Sequence, residues 1–426
     1  MVQVGCPPSF QAAAAWVVDE LTTASAPGPG ADVGYPSPAL PGSEAAWAFF
    51  AGGAAAPRVA EDGLVDFGDR VDDIIASAFW HLSRWEERDG PRDRHGRFPA
   101  AASTNDPASP VVDALLARFQ TAAGLGRREG FAVVLTHDVD LPRRWAARGA
   151  SRRALRGVRN AVRRRRAGEA AVETAGLLAA PWHRARGTDP NWSIDRIREI
   201  ERAHGGRSTY FLLAGHGHPA DGPDPDAYDA VRERLVREVQ DGGDEVGLHP
   251  SYRTSEEPER LQAERDGLAE LAGPVRSARF HFLRHDPHRD LAVLDRLGFE
   301  VDSSHGFADA PGFRAGFSHP YHPFDIAADR PLGLLEVPLA VMDATLQDDR
   351  YLGLSAQDGL RRTLGVLEHV ARSGGTAAVL WHPDRFGVPY ARGWDVAYEE
   401  LVVWCRDRGG DLIACEDVPG RYSTQR

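Results

Sequence analysis

Phe131-Ala132-Val133-Val134-Leu135-Thr136-His137-Asp138-Val139-Asp140 is the stretch that decides how this chain is read. An apolar strand runs straight into two carboxylates. In an extended chain, side chains two residues apart point to the same face, so Asp138 and Asp140 share one. Like charges held so close are costly unless a cation is shared or one group is protonated. A divalent metal on one carboxylate and a proton-abstracting role for the other would resolve the conflict. The structural alternative is an N-cap or turn pair leading into Leu141-Pro142.

Downstream, short β-rich runs alternate with longer helical ones. The runs are 131–135, 208–213, 245–248, 278–283, 335–341, 376–381 and 411–415. Between them, 194–203, 228–240, 257–271, 291–297, 360–371 and 396–408 have helical spacing. Such alternation predicts parallel strands with crossover helices, and about seven repeats predict a closed or nearly closed barrel. The polar residues that stand out follow strands: Asp138, Asp140, His249, Arg284 and His382. In barrels of this class chemistry gathers at the C-terminal strand ends. Upstream, 11–21, 71–85 and 110–119 are candidate helices, so residues 1–125 are expected to form a small α-rich accessory domain, with the barrel over 126–426. An arginine-rich helical insertion at about 143–190, including Arg163-Arg164-Arg165-Arg166, is expected to be a solvated excursion, with an anionic partner as the sharper alternative.

The chain has 426 residues, 42% hydrophobic and 26% charged, which excludes disordered and disulfide-scaffold classes. Its net charge of -12 gives no sign of nucleic-acid binding. All 50 Lys+Arg residues are arginines, which excludes Schiff-base and P-loop lysine chemistry. Cys6, Cys405 and Cys415 make no zinc or disulfide pattern. The N-terminus lacks a basic, then apolar leader, and no stretch is long enough to span a membrane, so a cytoplasmic protein is expected.

Four more residue groups could carry chemistry. His249 ends Glu245-Val246-Gly247-Leu248-His249, where a neutral imidazole suits a metal or simply the core. In Arg279-Phe280-His281-Phe282-Leu283-Arg284, strand alternation puts Arg279 and His281 on one face and Arg284 at the end. Such an arginine can hold a carboxylate ionised, bind an oxyanion or form a structural ion pair. His382, after Leu380-Trp381, could protonate a leaving amine, with Asp302 to orient it unless Asp302 is a cap of Asp-Ser-Ser. Together these form an ordered series with one element per strand end.

That series resembles the polysaccharide deacetylases, the NodB-homology group of carbohydrate esterase family 4. The resemblance implies a distorted seven-stranded (β/α) barrel, with Asp138 as general base, Asp140 and His249 as metal ligands and His382 as general acid. The family's arginine falls on Arg279 or Arg284. Where the second motif's other histidine should stand, this chain has Arg253. His281 is the first candidate substitute, ahead of His285, His305 and His137. Segments 73–87, 95–100, 312–316 and 342–346 resemble a bacterial subgroup with an N-terminal extension. The implied cofactor is a divalent metal, zinc with cobalt or nickel as alternatives. The implied reaction is hydrolysis of an N-acyl group from an amino sugar, on a nucleotide or lipid carrier or on a small glycosylated metabolite. A catalytically silent sugar-binding barrel, or another hydrolysis or cyclisation at the same site, are the rivals.

Overall fold

The computed structural model describes residues 3–28, 34–53, 57–69, 72–145, 149–163, 167–222, 224–386 and 392–423. Ala132–Val139 forms β1, and all eight of its residues are buried. Their alternation sorts two environments. Val133, Leu135 and Val139 face the helix layer, while Val134 joins the apolar filling inside the sheet. Six more strands run parallel to β1: Thr209–Leu213 (β2), Glu245–His249 (β3), Ser277–Ala278 (β4), Val301–Asp302 (β5), Leu335–Glu336 (β6) and Leu339–Met342 (β7). Thr376–Leu380 (β8) and Asp411–Ile413 (β9) complete the set.

The order is β6-β5-β4-β3-β2-β1-β8-β7, with β9 added beside the first half of β1. The two ends of this path, β6 and β7, are consecutive in the chain and separated only by Val337 and Pro338. One broken strand therefore pairs β5 with its first part and β8 with its second, so the sheet returns on itself. The sequence predicts 335–341 as one strand. Pro338 has no N–H for a ladder, and the chain changes partner there.

One predicted strand differs from the structure, and one strand of the sheet was not predicted. The run 278–283 pairs only at Ser277–Ala278 and then turns, with Phe282 and Leu283 at φ +61° and +54°. Arg279 and His281 still donate to Leu248 and Pro250 carbonyls, but Pro250 cannot donate in return. Val301–Asp302 is a strand of two residues, too short to show a period.

Between β1 and β2, helices Ala150–Arg163 and Ala167–Arg186 form the insertion and bury Trp145, Ala150, Ala154 and Ala180 between them. Arg152, Arg156, Arg159 and Arg163 are exposed. Arg164, Arg165 and Arg166 lie outside the described residues, as does Val71. Among the described residues no helix is long and apolar enough to cross a membrane. The three cysteines are buried and unpaired.

The N-terminal segment holds helices Pro8–Thr23, Glu44–Phe50, Ile74–Leu82 and Val111–Ala123. The helix predicted over 71–85 is shorter because Arg84 takes the left-handed conformation at φ +54°. The apolar cluster of this segment includes Ala315, Phe317, Tyr321 and Phe324 from between β5 and β6. Beside that cluster, Glu87 is fully buried against Arg84 Nε at 2.8 Å and Arg314 Nη2 at 2.5 Å. Burial opposes ionisation of Glu87, but Arg314 and Arg84 hold its pKa well below the usual range. Removing the anion leaves Arg314 buried without its carboxylate and Arg84 with Glu86 alone. Glu87→Gln is expected to destabilise the protein by about 3–5 kcal/mol in urea denaturation, with exposed Glu199→Gln within about 0.5 kcal/mol of the parent.

Candidate active site

The inward face of β1 ends in Thr136, Asp138 and, just beyond the strand, Asp140. His137, between them, faces outward, with Nδ1 donating to the Trp381 carbonyl at 2.7 Å and Nε2 2.9 Å from Glu201. It is therefore no part of the carboxylate cluster. Asp138 is 4% exposed and accepts from Arg279 Nη1 at 3.2 Å. Arg279 is wholly buried across the barrel, donating also to Thr136 Oγ1 at 2.6 Å and to Ser303 O and Oγ at 2.8 and 2.9 Å. Its guanidinium balances Asp138 in a place where an unpaired charge would be expensive.

Asp140 has different partners. His249 Nε2 is 3.3 Å from its Oδ1, His281 Nε2 is 3.7 Å from Oδ2, and His382 Nε2 is 3.8 Å from Oδ2. His249 Nε2 also lies 3.6 Å from Asp138. Burial alone would raise the Asp140 pKa, yet His281 and His249 hold it well below the ordinary carboxylate range. Asp140 Oδ1 is buried without a hydrogen-bond partner.

Each ligand candidate has its far nitrogen fixed. His249 Nδ1 donates to the Arg279 carbonyl at 2.5 Å, and His281 Nδ1 to Asp221 Oδ1 at 3.2 Å. Both Nε2 atoms are thereby directed at Asp140, the arrangement by which outer partners orient metal-binding imidazoles. One ligand atom each from Asp140, His249 and His281 lie within 4.8 Å of one another. Ligands on a tetrahedral zinc with bonds of about 2.0–2.1 Å stand about 3.3 Å apart, so this donor set fits such an ion. Burial lowers the His281 pKa, but Asp140 and Asp221 outweigh it and lift it to about 9. The cluster therefore draws positive charge.

Arg253, at the motif's histidine position, points elsewhere: it is 43% exposed and 3.8 Å from Glu257. His285 Nδ1 faces the Leu283 carbonyl and His305 Nδ1 the Tyr321 hydroxyl, so neither joins the cluster. Arg284 also lies outside it, donating to His95 O and Tyr252 O and pairing with Glu256. It does not reach Asp138, because the turn at 281–283 replaces the expected strand and carries it away.

The sequence assigns orientation of His382 to Asp302. The structure puts Asp302 elsewhere, bonded to Ser304 N and Oγ at 2.9 Å and sharing a buried pair with Glu336. The carboxylate on His382 is Asp343, with Oδ1 2.5 Å from Nδ1 and Oδ2 accepting the His382 N–H at 3.0 Å. Register brings them near: β7 pairs β8 with Met342 opposite Leu380, so Asp343 leaves β7 close to His382, two residues beyond β8. Asp302 ends β5, which is parted from β8 by the broken strand β6–β7 on one side and by β4, β3, β2 and β1 on the other. Asp343 was visible in Met342-Asp343-Ala344-Thr345-Leu346, but pairing alone gives it a task. Asp221, in Ala220-Asp221-Gly222, reads as a turn residue and had no signal.

The cluster opens on a cleft of about 170 Å³ whose other walls include Phe282, Tyr351, Arg97 and Arg385. Residues 48–122 match a family of unknown function (DUF7033). No curated protein matches. Among solved structures, a candidate polysaccharide deacetylase from Mycobacterium smegmatis is 20% identical with a TM-score of 0.45, covering 70% of this chain and 92% of its own. A second, from Pseudomonas aeruginosa PAO1, is 16% identical at a TM-score of 0.40, covering 60% and 76%. The catalytic domain of a peptidoglycan N-acetylglucosamine deacetylase from Eubacterium rectale is 12% identical at 0.33, covering 67% and 88%. These likenesses are too distant to assign chemistry, which has to come from this chain's own residues.

Burial disfavours charge on His382, but Asp343, then Asp140 and Asp138, raise its pKa to about 10. The imidazolium thus persists through neutral pH and gives up its proton only as pH rises through that value. Removing the Asp343 charge takes away the largest raising influence. In metal-free protein followed by NMR, His382 is expected to titrate near 10, and at clearly lower pH in Asp343→Asn. An unmoved titration would refute the pairing.

Proposed function

We propose that this protein is a metal-dependent hydrolase that removes an N-acyl group, acetyl in the simplest case, from an amino sugar or a related small glycosylated substrate. The observation that carries this reading is the convergence of Asp140, His249 and His281 with Asp138 and His382 on one cleft. Asp140, His249 and His281 would hold the ion, with zinc favoured and cobalt or nickel compatible with the same donors. A divalent cation there supplies Lewis acidity toward water and the acyl oxygen.

The chain's own residues supply the rest. Asp138, next to the ligands but paired with Arg279, takes a proton from the attacking water. Arg279 donates from Nε, Nη1 and Nη2 to Ser303, Thr136 and Asp138, so its task is to pair with Asp138 and hold it in place. His382, protonated and held by Asp343, donates to the departing amine. The substrate in this reading is an amino sugar on a nucleotide or lipid carrier, or a small glycosylated metabolite.

Asp138→Asn is expected to lower turnover about 10²–10⁴-fold while retaining one equivalent of zinc by elemental analysis. His249→Ala and His281→Ala should lose the metal, and Arg253→Ala should keep it. Acetate release from small N-acetylated amino sugars measures turnover. Undiminished turnover in Asp138→Asn would sink the assignment.

A further inference from the structure

The third candidate ligand sits in an unusual place. His281 is followed by Phe282 and Leu283, two non-glycine residues in the left-handed region at φ +61° and +54°. Conformations of that kind persist only where their surroundings over-determine them. The brace comes from the N-terminal segment.

Asp93–Arg97 is a tight turn in which Asp93 Oδ1 accepts the N–H groups of His95 and Arg97, with Gly96 at φ +77°. The turn projects Arg97 against the ligand loop. Arg97 is 8% exposed, and its Nη1 donates to the Phe282 carbonyl at 3.2 Å. The rest of the guanidinium is fixed by Asp93 Oδ2, from Nε at 2.9 Å and Nη2 at 2.7 Å, and by the Tyr351 hydroxyl at 3.2 Å.

A second tether starts from the same turn. His95 Nδ1 is 2.9 Å from the Tyr252 hydroxyl, in the loop that follows His249. The Tyr252 N–H donates to Asp221 Oδ1 at 2.7 Å, the same oxygen that receives His281 Nδ1. Arg284 closes the frame by donating to both the His95 and Tyr252 carbonyls. One turn thus ties together the two loops that carry His249 and His281.

We infer that the Asp93–Arg97 turn is a positioning element for the ligand His281, so that the N-terminal segment is a working part of the metal site. The inference rests on the metal-site reading of Asp140, His249 and His281. It explains how the chain manages with Arg253 at the motif position: the nitrogen comes from another loop, and that loop is held from outside the barrel. Arg97 also lines the cleft, so a role in substrate contact is the competing explanation, and metal affinity measured without substrate separates the two.

The test uses the full chain and two metals alone, zinc by chelator competition and cobalt by its visible absorption. Arg97→Ala is expected to weaken both metals about 10–100-fold and to change the cobalt band, at temperatures where the variant is folded. Adding Phe282→Gly to Arg97→Ala should restore much of the affinity, because glycine takes the left-handed conformation without a brace. Arg118→Ala, which removes an exposed ion pair of the same segment with Asp62, should bind as the parent does. Parental affinity and an unchanged cobalt band in Arg97→Ala overturn the inference. Should Arg97→Ala not fold, Tyr351→Phe, which removes a single hydroxyl, must weaken binding measurably, and parental affinity there overturns it equally. A parent protein that takes up neither metal removes the metal-site reading itself.

Discussion

Two carboxylates on one inward face of a strand are tolerable only when each has a cation of its own, and most of this site follows from meeting that condition. Arg279 meets it for Asp138 from across the barrel, held in turn by Thr136 and Ser303. For Asp140 it is met by imidazoles from the end of β3 and from the turn after β4. The split gives the two aspartates different lives. One is balanced by a permanent cation and can accept a proton. The other faces exchangeable positive charge and can hold a metal.

The closure of the sheet distributes the remaining roles. Because β6 and β7 are one strand broken at Val337-Pro338, Asp343 leaves β7 close to His382, two residues beyond the end of β8. Asp343 is consequently the carboxylate that His382 meets, and Asp302 is left at the end of β5, beside the other limb of that broken strand. A buried pair such as Asp302–Glu336 keeps a proton between its members, since burial and mutual repulsion both raise the Glu336 pKa. It stabilises the loop at Ser304 and is badly suited to orienting an acid catalyst.

The N-terminal segment changes the meaning of the departure at Arg253. Its apolar core runs into residues 315–324, its Glu87 is clamped by Arg314, and its turn at 93–97 reaches the loop that carries His281. The segments 73–87, 95–100 and 312–316, prominent in the sequence as separate fragments, meet at this seam. Their spacing along the chain gave no hint that they are neighbours.

What the sequence by itself determined was local and periodic. The strand–helix alternation, the shared face of Asp138 and Asp140, and the placement of His249 and His382 at strand ends were legible, because a period of two or 3.6 residues is a property of neighbouring residues. Only the tertiary structure decided which distant groups meet. It selected His281 over His285, His305 and His137, gave His382 to Asp343, supplied Asp221 behind His281, and turned Arg284 away. The cause in each case is a feature without a periodic signature. Pro250 and two left-handed residues end a strand early, and Pro338 breaks another, so side chains arrive from directions that spacing along the chain cannot encode.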